Sequence, residues 1–373
     1  MDIAAYLKLM SEKNASDLFF STGAPVNIKI EGMVSALGDQ LLQPGAVKQL
    51  AYSIINDEQK KTFEESLELN LAISVHDVGR FRVNIYRQRG EVAMVIRYIK
   101  SRIPSIEELH LPAILKEFVM EPRGLILLVG ATGSGKSTTL AAMIDHRNCN
   151  KTGHILTIEE PIEFIHRHKK SVVDQREIGQ DTLSYSNALK NALREAPDVI
   201  LIGEIRDRET MQHAIAYAET GHLCLSTLHA NTANQTLDRI INFFPDSAHH
   251  QLLQDLSLNL QAVISQRLVP GVDSKRVPAV EIMVKSPYIS ELIEKGDIDG
   301  IKEVMERSSD VGMQTFDQSL YELYSAGKIT MEQALDNADS RNNLLLKIRL
   351  TGGVKDASVT DGLSIDEEAF KSG

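Results

Sequence analysis

The chain has 373 residues, 43% apolar and 24% charged, with a formal net charge of −11. That length suits about two domains, and the acidic balance argues against a nonspecific nucleic-acid binder while leaving room for a local basic groove. No apolar run approaches the roughly 20 residues of a membrane helix; the start, Met1-Asp2-Ile3-Ala4-Ala5-Tyr6, lacks a signal-peptide pattern; and Cys149 and Cys224, with no Cys-x-x-Cys pair, read as reduced cytosolic thiols rather than zinc ligands.

A first helix is expected at about 2–13, with Ile3, Tyr6, Leu7 and Met10 on one face. Asp17–Phe20 and Val26–Glu31 read as strands, and helices follow at about 45–55 and 57–66. Leu67, Leu69, Leu71, Ile73 and Val75 alternate with polar residues, the pattern of a half-buried strand. Arg80–Arg87 and Val92–Ile99 form a further strand pair around Gly90. Residues 1–100 therefore read as a small α+β domain. Pro104, a Ser105/Glu108 capping box for a new helix, Pro112 and Pro122 mark 101–123 as an interdomain linker.

From 124 onward strands and helices alternate (125–129, 138–147, 154–159, 183–196, 198–202, 208–219, 222–227), which predicts a parallel α/β sheet covered by helices. After about 245 the chain is expected to turn helical: Leu252, Leu253, Leu256, Leu260, Val263, Ile264 and Leu268 recur at helical spacing. More helices are expected at 287–296, 298–308, 312–326 and 330–338, and the polar stretch 351–373 reads as a disordered tail.

The chemistry concentrates in four segments. Leu125–Val129 is an apolar strand that runs into a complete P-loop, Gly130-Ala131-Thr132-Gly133-Ser134-Gly135-Lys136-Ser137, with Thr138 opening a helix. In that spacing backbone N–H groups wrap a phosphate chain, the lysine reaches the outer phosphates and the serine hydroxyl holds Mg²⁺. Asp198–Ile202 is a strand that delivers Glu204 to its carboxyl end, where ligands collect in open α/β sheets; Glu204 is expected to act as general base or to orient water. Arg206 and Asp207 suit an ion pair holding the turn. Ile155–Ile158 leads into Glu159 and Glu160; neighbours on a strand point apart, so one of them reaches the metal or its waters, Glu159 being favoured because Glu160 precedes the Pro161 turn, with Glu163 as another candidate. His222 and His229 bracket a third strand: His229 could sense the γ-phosphate, and His222 packs or caps. Arg80, Arg82, Asn84 and Tyr86 share one strand face, and Arg97 projects from the next strand. Such a row is either a solvated face or a source of arginine fingers.

The four boxes GATGSGKS, TIEEPIEF, DVILIGEIRD and TGHLCLSTLHAN, with NASDLFFSTGAPVNIKIEG, GRFRVNIYRQRG and ALKNALREAPD, resemble the secretion ATPases of type IV pili and type II secretion over residues 1–345. The short N-terminal region and the missing zinc cysteines resemble the PilT/PilU retraction branch. Glu159-Glu160-Pro161 stands where PilT carries Glu-Asp-Pro. Tyr288–Lys295 replaces a more basic PilT helix, and the extension after about Leu346 is more like PilU. The resemblance implies a RecA-like ATPase domain (124–350, with a helical C-terminal part) behind a PAS-like domain. It also implies ATP and Mg²⁺ as ligands and a homohexameric ring that powers pilus retraction alongside a PilT-like ring. The ring would sit on an inner-membrane platform protein at the cytoplasmic face, without membrane insertion and without nucleic acid. Arg82 and Arg97 become candidate arginine fingers at the cleft. A nucleotide-binding accessory ring with little motor activity of its own is the alternative.

Overall fold

A computed structural model describes residues 3–351, apart from 31, 77, 100, 101, 274, 309 and 310. The tail expected over 351–373 lies outside the described residues, apart from Thr351, which ends the last helix as described.

The first part of the chain builds an antiparallel sheet. Helix α1 (Ile3–Glu12) precedes β1 (Asp17–Phe20), β2 (Asn27–Ile30) and β3 (Met33–Ala36). Helices α2 (Ala46–Tyr52) and α3 (Asp57–Ser66) lead to β4 (Glu68–Val75), β5 (Gly79–Gln88) and β6 (Glu91–Ile99). The six strands lie in the order β3-β2-β1-β6-β5-β4. Phe81, Val83 and Ile85 of β5 are fully buried in one core with Leu7, Met10 and Phe63. The alternate positions, Arg80, Arg82 and Asn84, are only partly buried on the other face. Alternation therefore reads β5 correctly. Strand β3 was not expected: all four of its residues are exposed, so it carries no two-faced pattern.

The second sheet has seven strands in the order β13-β12-β7-β11-β10-β8-β9. Its elements in chain order are α4 (Ile114–Met120), β7 (Gly124–Val129), α5 (Lys136–Asn150), β8 (Gly153–Glu159), β9 (Ser171–Glu177), α6 (Tyr185–Ala192), β10 (Val199–Ile202), α7 (Arg208–Glu219), β11 (Leu223–Leu228), α8 (Ala233–Asn242), α9 (His249–Asn259), β12 (Leu260–Pro270) and β13 (Arg276–Val284). Every pairing is parallel except the β12–β13 hairpin. Strand β7 is buried on both faces. Leu125, Leu127 and Val129 enter one core, and Ile126 and Leu128 enter the other. Helices covering both faces explain why this strand reads as an unbroken apolar run.

Three expectations need correction. The run from Leu252 to Leu268 is not one helix: α9 ends at Asn259, and Leu260, Val263, Ile264 and Leu268 belong to β12. Ala262 through Gln266 are all buried, so both faces of β12 are covered and no period of two survives to mark the strand. Strand β9 was also unread. The Ser105/Glu108 capping box forms, with Glu108 N–H donating to Ser105 Oγ and Ser105 N–H to Glu108 Oε2, yet it holds a turn, and the helix starts only at Ile114. Within the segment expected as a linker, Ile106, Leu111, Leu115 and Val119 pack into the core of the second sheet.

Among the described residues five α-helices follow: α10 (Pro287–Lys295), α11 (Gly300–Arg307), α12 (Phe316–Ser325), α13 (Met331–Asp336) and α14 (Arg341–Thr351). The last three close a small core over Val269 and Ala279 of the β12–β13 hairpin. Leu127, fully buried at the sheet centre, tests this packing. Leu127→Ala is expected to lose roughly 2–5 kcal/mol of stability in chemical denaturation; a loss under about 1 kcal/mol would contradict a close-packed strand there.

Candidate active site

Strands β7, β11, β10 and β8 lie side by side and parallel. Their carboxyl ends therefore set four segments in a row: the P-loop after β7, His229 after β11, Glu204 after β10, and Glu159-Glu160 at the end of β8. A cavity of about 850 Å³ opens over this row. Its opposite wall is the first sheet, through Asp17, Lys29, Arg82 and Arg97.

The P-loop is built to receive an anion. Helix α5 begins at Lys136 behind Gly135, and no side chain caps it. Its first-turn N–H groups are thus available to phosphate, at the positive end of the helix dipole. Gly130, Gly133 and Gly135 all have positive φ. Thr132, Gly133, Gly135, Lys136, Ser137 and Thr138 line the cavity. Ala131 lends its carbonyl to Lys136, and Ser134 is buried with its hydroxyl lacking a partner among the described residues. Lys136 Nζ donates to the carbonyls of Gly130 and Ala131 at 2.7 and 2.9 Å. An ammonium has three donors, so one remains for a phosphate oxygen. Burial lowers the Lys136 pKa, and the Glu204 charge opposes that shift.

Glu204 sits in a charged chain. Its Oε1 lies 3.0 Å from His229 Nε2, and its Oε2 accepts from Arg206 Nε at 2.7 Å. Arg206 also reaches Glu160 Oε2 at 3.2 Å. This corrects the expected Arg206–Asp207 pair: Asp207 instead caps α7, accepting from Thr210 N–H. Each Glu204 oxygen keeps a lone pair for water. Thr227 Oγ1, donating to the Gly203 carbonyl at 2.7 Å, fixes the turn that carries Glu204. His222 lies at the far, amino end of β11, beside Thr220 and the Tyr217 carbonyl, and caps rather than faces the cavity.

Both Glu159 and Glu160 line the cavity, against the expected alternation, because β8 ends at Glu159 and Glu160 is outside the ladder. Their surroundings differ. Glu159 accepts from Thr157 Oγ1 at 2.7 Å and Gln175 Nε2 at 3.3 Å. Burial pushes its carboxyl up to about 7 despite those bonds. Glu163 lines the same cavity and its charge acts on Arg82.

Arg82 Nη2 stands 3.7 Å from Glu177 Oε1, and that buried nitrogen makes no hydrogen bond among the described residues. Arg97 Nε donates to Asp17 Oδ1 at 2.8 Å. Both arginines thus face the P-loop of their own chain across the cavity. Sequence reasoning missed Lys29, His166, Tyr185, Leu268 and Arg276 on the lining, and Gln175 behind it, which donates to Glu159. Arg276 and Leu268 come from the unread β12–β13 hairpin. His166 follows the acidic box, and burial pushes it down to about 4, so it is neutral at pH 7.

The oxygen donors Ser137, Glu159 and Glu163 on the cavity lining suit a hard cation. Among the described residues no cluster of three or more metal-binding side chains exists.

Residues 2–337 match the family model for the type II/IV secretion system protein. The type IV pilus ATPase PilU of Pseudomonas aeruginosa is 52% identical over 98% of this chain and 97% of its own. PilT of the same organism, the type IV pilus retraction ATPase, is 44% identical over 92% of this chain and all of its own. A crystal structure of the pilus retraction motor PilT with bound ADP superposes with a TM-score of 0.87 at 41% identity, covering 93% of this chain and 99% of that one. The chain belongs to the type II/IV secretion system protein family and, within it, to the PilT/PilU group of type IV pilus ATPases.

The Glu159 shift predicts a pH signature. Its ordinary value is 4.5 and its folded value about 7, so between those values the folded chain binds more protons than the unfolded one and stability falls as pH rises. Glu159→Gln removes this titration. Its melting temperature relative to the parent is expected to climb between about pH 5 and about pH 8. A constant difference across that range would contradict a carboxyl destabilised by burial.

Proposed function

We propose that this type IV pilus ATPase is an Mg²⁺-dependent ATP-hydrolysing motor subunit that assembles into a homohexameric ring and powers pilus retraction. Its role is PilU-like: the ring works with a PilT-like ring on an inner-membrane platform protein, at the cytoplasmic face. The domain division 1–100 and 124–350 belongs to the same reading. The observation that carries it is one cavity joining an uncapped P-loop helix, a carboxylate row and the buried, unsatisfied Arg82 nitrogen. PilU and PilT are both named as type IV pilus ATPases, and the PilT crystal structure holds ADP, which supports a nucleotide at this P-loop.

Each group has a definable task. The P-loop N–H groups and Lys136 hold the β- and γ-phosphates. Ser137, with Glu159 or Glu163, would hold Mg²⁺, which neutralises phosphate charge when bound. Glu159 is already engaged by Thr157 and Gln175, so it serves through a bound water or by holding its loop. Glu204 orients the attacking water, whose oxygen bonds to the γ-phosphorus as the β–γ bridging P–O bond breaks; Glu204 takes the water proton. His229 and Arg206 hold the Glu204 carboxylate, and Glu160 holds Arg206. Arg82 and Arg97 approach from the first sheet and stabilise charge on the transferring group.

Opening and closing the gap between the sheets moves Arg82 toward or away from the γ-phosphate, which couples hydrolysis to displacement. Among the described residues the Arg82–Glu177 pair and a 2.9 Å bond from Gln180 Nε2 to the Asn70 carbonyl cross that gap.

Steady-state phosphate release tests the roles. Glu204→Ala is expected to lose about 10² to 10⁴ of the rate, and Arg82→Ala about 10³, with ADP still bound in both. A substantial rate kept in Glu204→Ala would remove it as the water-orienting group, whereas a parent rate no higher than a near-zero mutant rate, in a chain that still binds ATP, would favour the accessory-ring alternative.

A further inference from the structure

Strand β12, unread in the sequence, carries a side chain that grips the P-loop. Gln266 is 3% exposed. Its Nε2 donates to the Ser134 carbonyl at 2.8 Å, and its Oε1 accepts from Thr139 Oγ1 at 2.8 Å. Ser134 and Thr139 flank Gly135, Lys136 and Ser137, so one amide spans the phosphate-binding stretch from both sides. Two glycines record the closeness. A Cβ on Gly130 would collide with the Gln266 carbonyl, and one on Gly135 would sit 2.8 Å from Nε2.

The strand is held from its other side as well. Arg267, the next residue, points oppositely along the pleat. It pairs with Asp339 at 2.8 Å, donates to the Asn337 carbonyl at 3.1 Å, and lies 3.8 Å over the Phe316 ring. Gln266 therefore reaches the loop from a strand that is anchored independently of α5.

We propose that Gln266 is a positioning residue for nucleotide phosphates: its side-chain amide sets the path of the P-loop and the start of α5, and so the aim of Lys136 and of the first-turn N–H groups. This rests on the P-loop being the nucleotide site. The chemistry requires an amide. Only a group with a donor and an acceptor satisfies a carbonyl and a hydroxyl at once, and leucine of similar size satisfies neither. Glutamate keeps the acceptor for Thr139 but sets a carboxylate oxygen against the Ser134 carbonyl, beside the phosphate path.

The test uses the full chain with a fluorescent ADP, adenosine as a phosphate-free competitor, and ATP turnover. Gln266→Leu is expected to weaken ADP binding and raise KM for ATP about ten- to a hundredfold, the scale of two net hydrogen bonds. Adenosine binding stays unchanged, and kcat stays within about threefold at saturation, since Gln266 touches no reacting atom. Thr139→Val, which removes one bond, is expected to weaken ADP by a factor of about 3 to 10. Gln266→Glu is expected to be weaker than Gln266→Leu. A merely structural amide would lower the melting temperature while leaving the ADP-to-adenosine affinity ratio unchanged; that result in Gln266→Leu, or in Thr139→Val if the leucine variant does not fold, overturns the proposal. A parent chain that binds no ADP would instead overturn the assignment of the site itself.

Discussion

The geometry of the site depends on how closely the P-loop is pressed against β12. The loop leaves the buried end of β7 and turns into α5 in a space where neither Gly130 nor Gly135 can carry a side chain. Close approach is what brings unpaired N–H groups to one point, because a loop held further out would let side chains or water fill the gap. The rest of the second sheet follows from that position. Parallel pairing of β7 with β11, β11 with β10 and β10 with β8 fixes which carboxyl ends stand next to the loop.

Charge is divided between the two walls of the cavity. The second sheet contributes Glu159, Glu160, Glu163 and Glu204 along with Lys136, and the first contributes Lys29, Arg82 and Arg97. A phosphate chain lying between them meets cations from both sides, while the carboxylates remain close enough to water and metal to act. The Arg82 nitrogen is buried at a cost that Glu177, at 3.7 Å, only partly offsets. Such a group is better satisfied by an anion in the cavity than by anything already beside it. The electrostatics therefore favour an anion-filled cavity over an empty one.

Local patterns were legible where one face of an element is buried and the other is not, or where chemistry dictates spacing. The alternation of β5 placed Arg82 on the face opposite the core, and the P-loop spacing located Lys136 and Ser137. The end of β10 located Glu204 because an apolar run stops there. What failed did so for physical reasons. β12 is covered on both sides and shares its leucine spacing with the preceding helix, so periodicity could not separate them. β3 has no buried side at all. Sequence favours Glu159 over Glu160 but does not say what holds it; the hydroxyl of Thr157 and the amide of Gln175, the latter on an unread strand, show that it is clamped. Arg276 and Gln266 entered the site through long-range pairing, which no local pattern encodes.

The central claim is that the P-loop and the arginines of the first sheet hold one nucleotide between them. The most direct measurement is a structure of this chain with Mg²⁺ and a non-hydrolysable ATP analogue. The γ-phosphate is expected between Lys136 and Arg82, with the β-phosphate on the amino end of α5 and a water held by Glu204. A nucleotide bound at the P-loop with Arg82 still paired to Glu177 and remote from the phosphates, in a closed assembly, would contradict it.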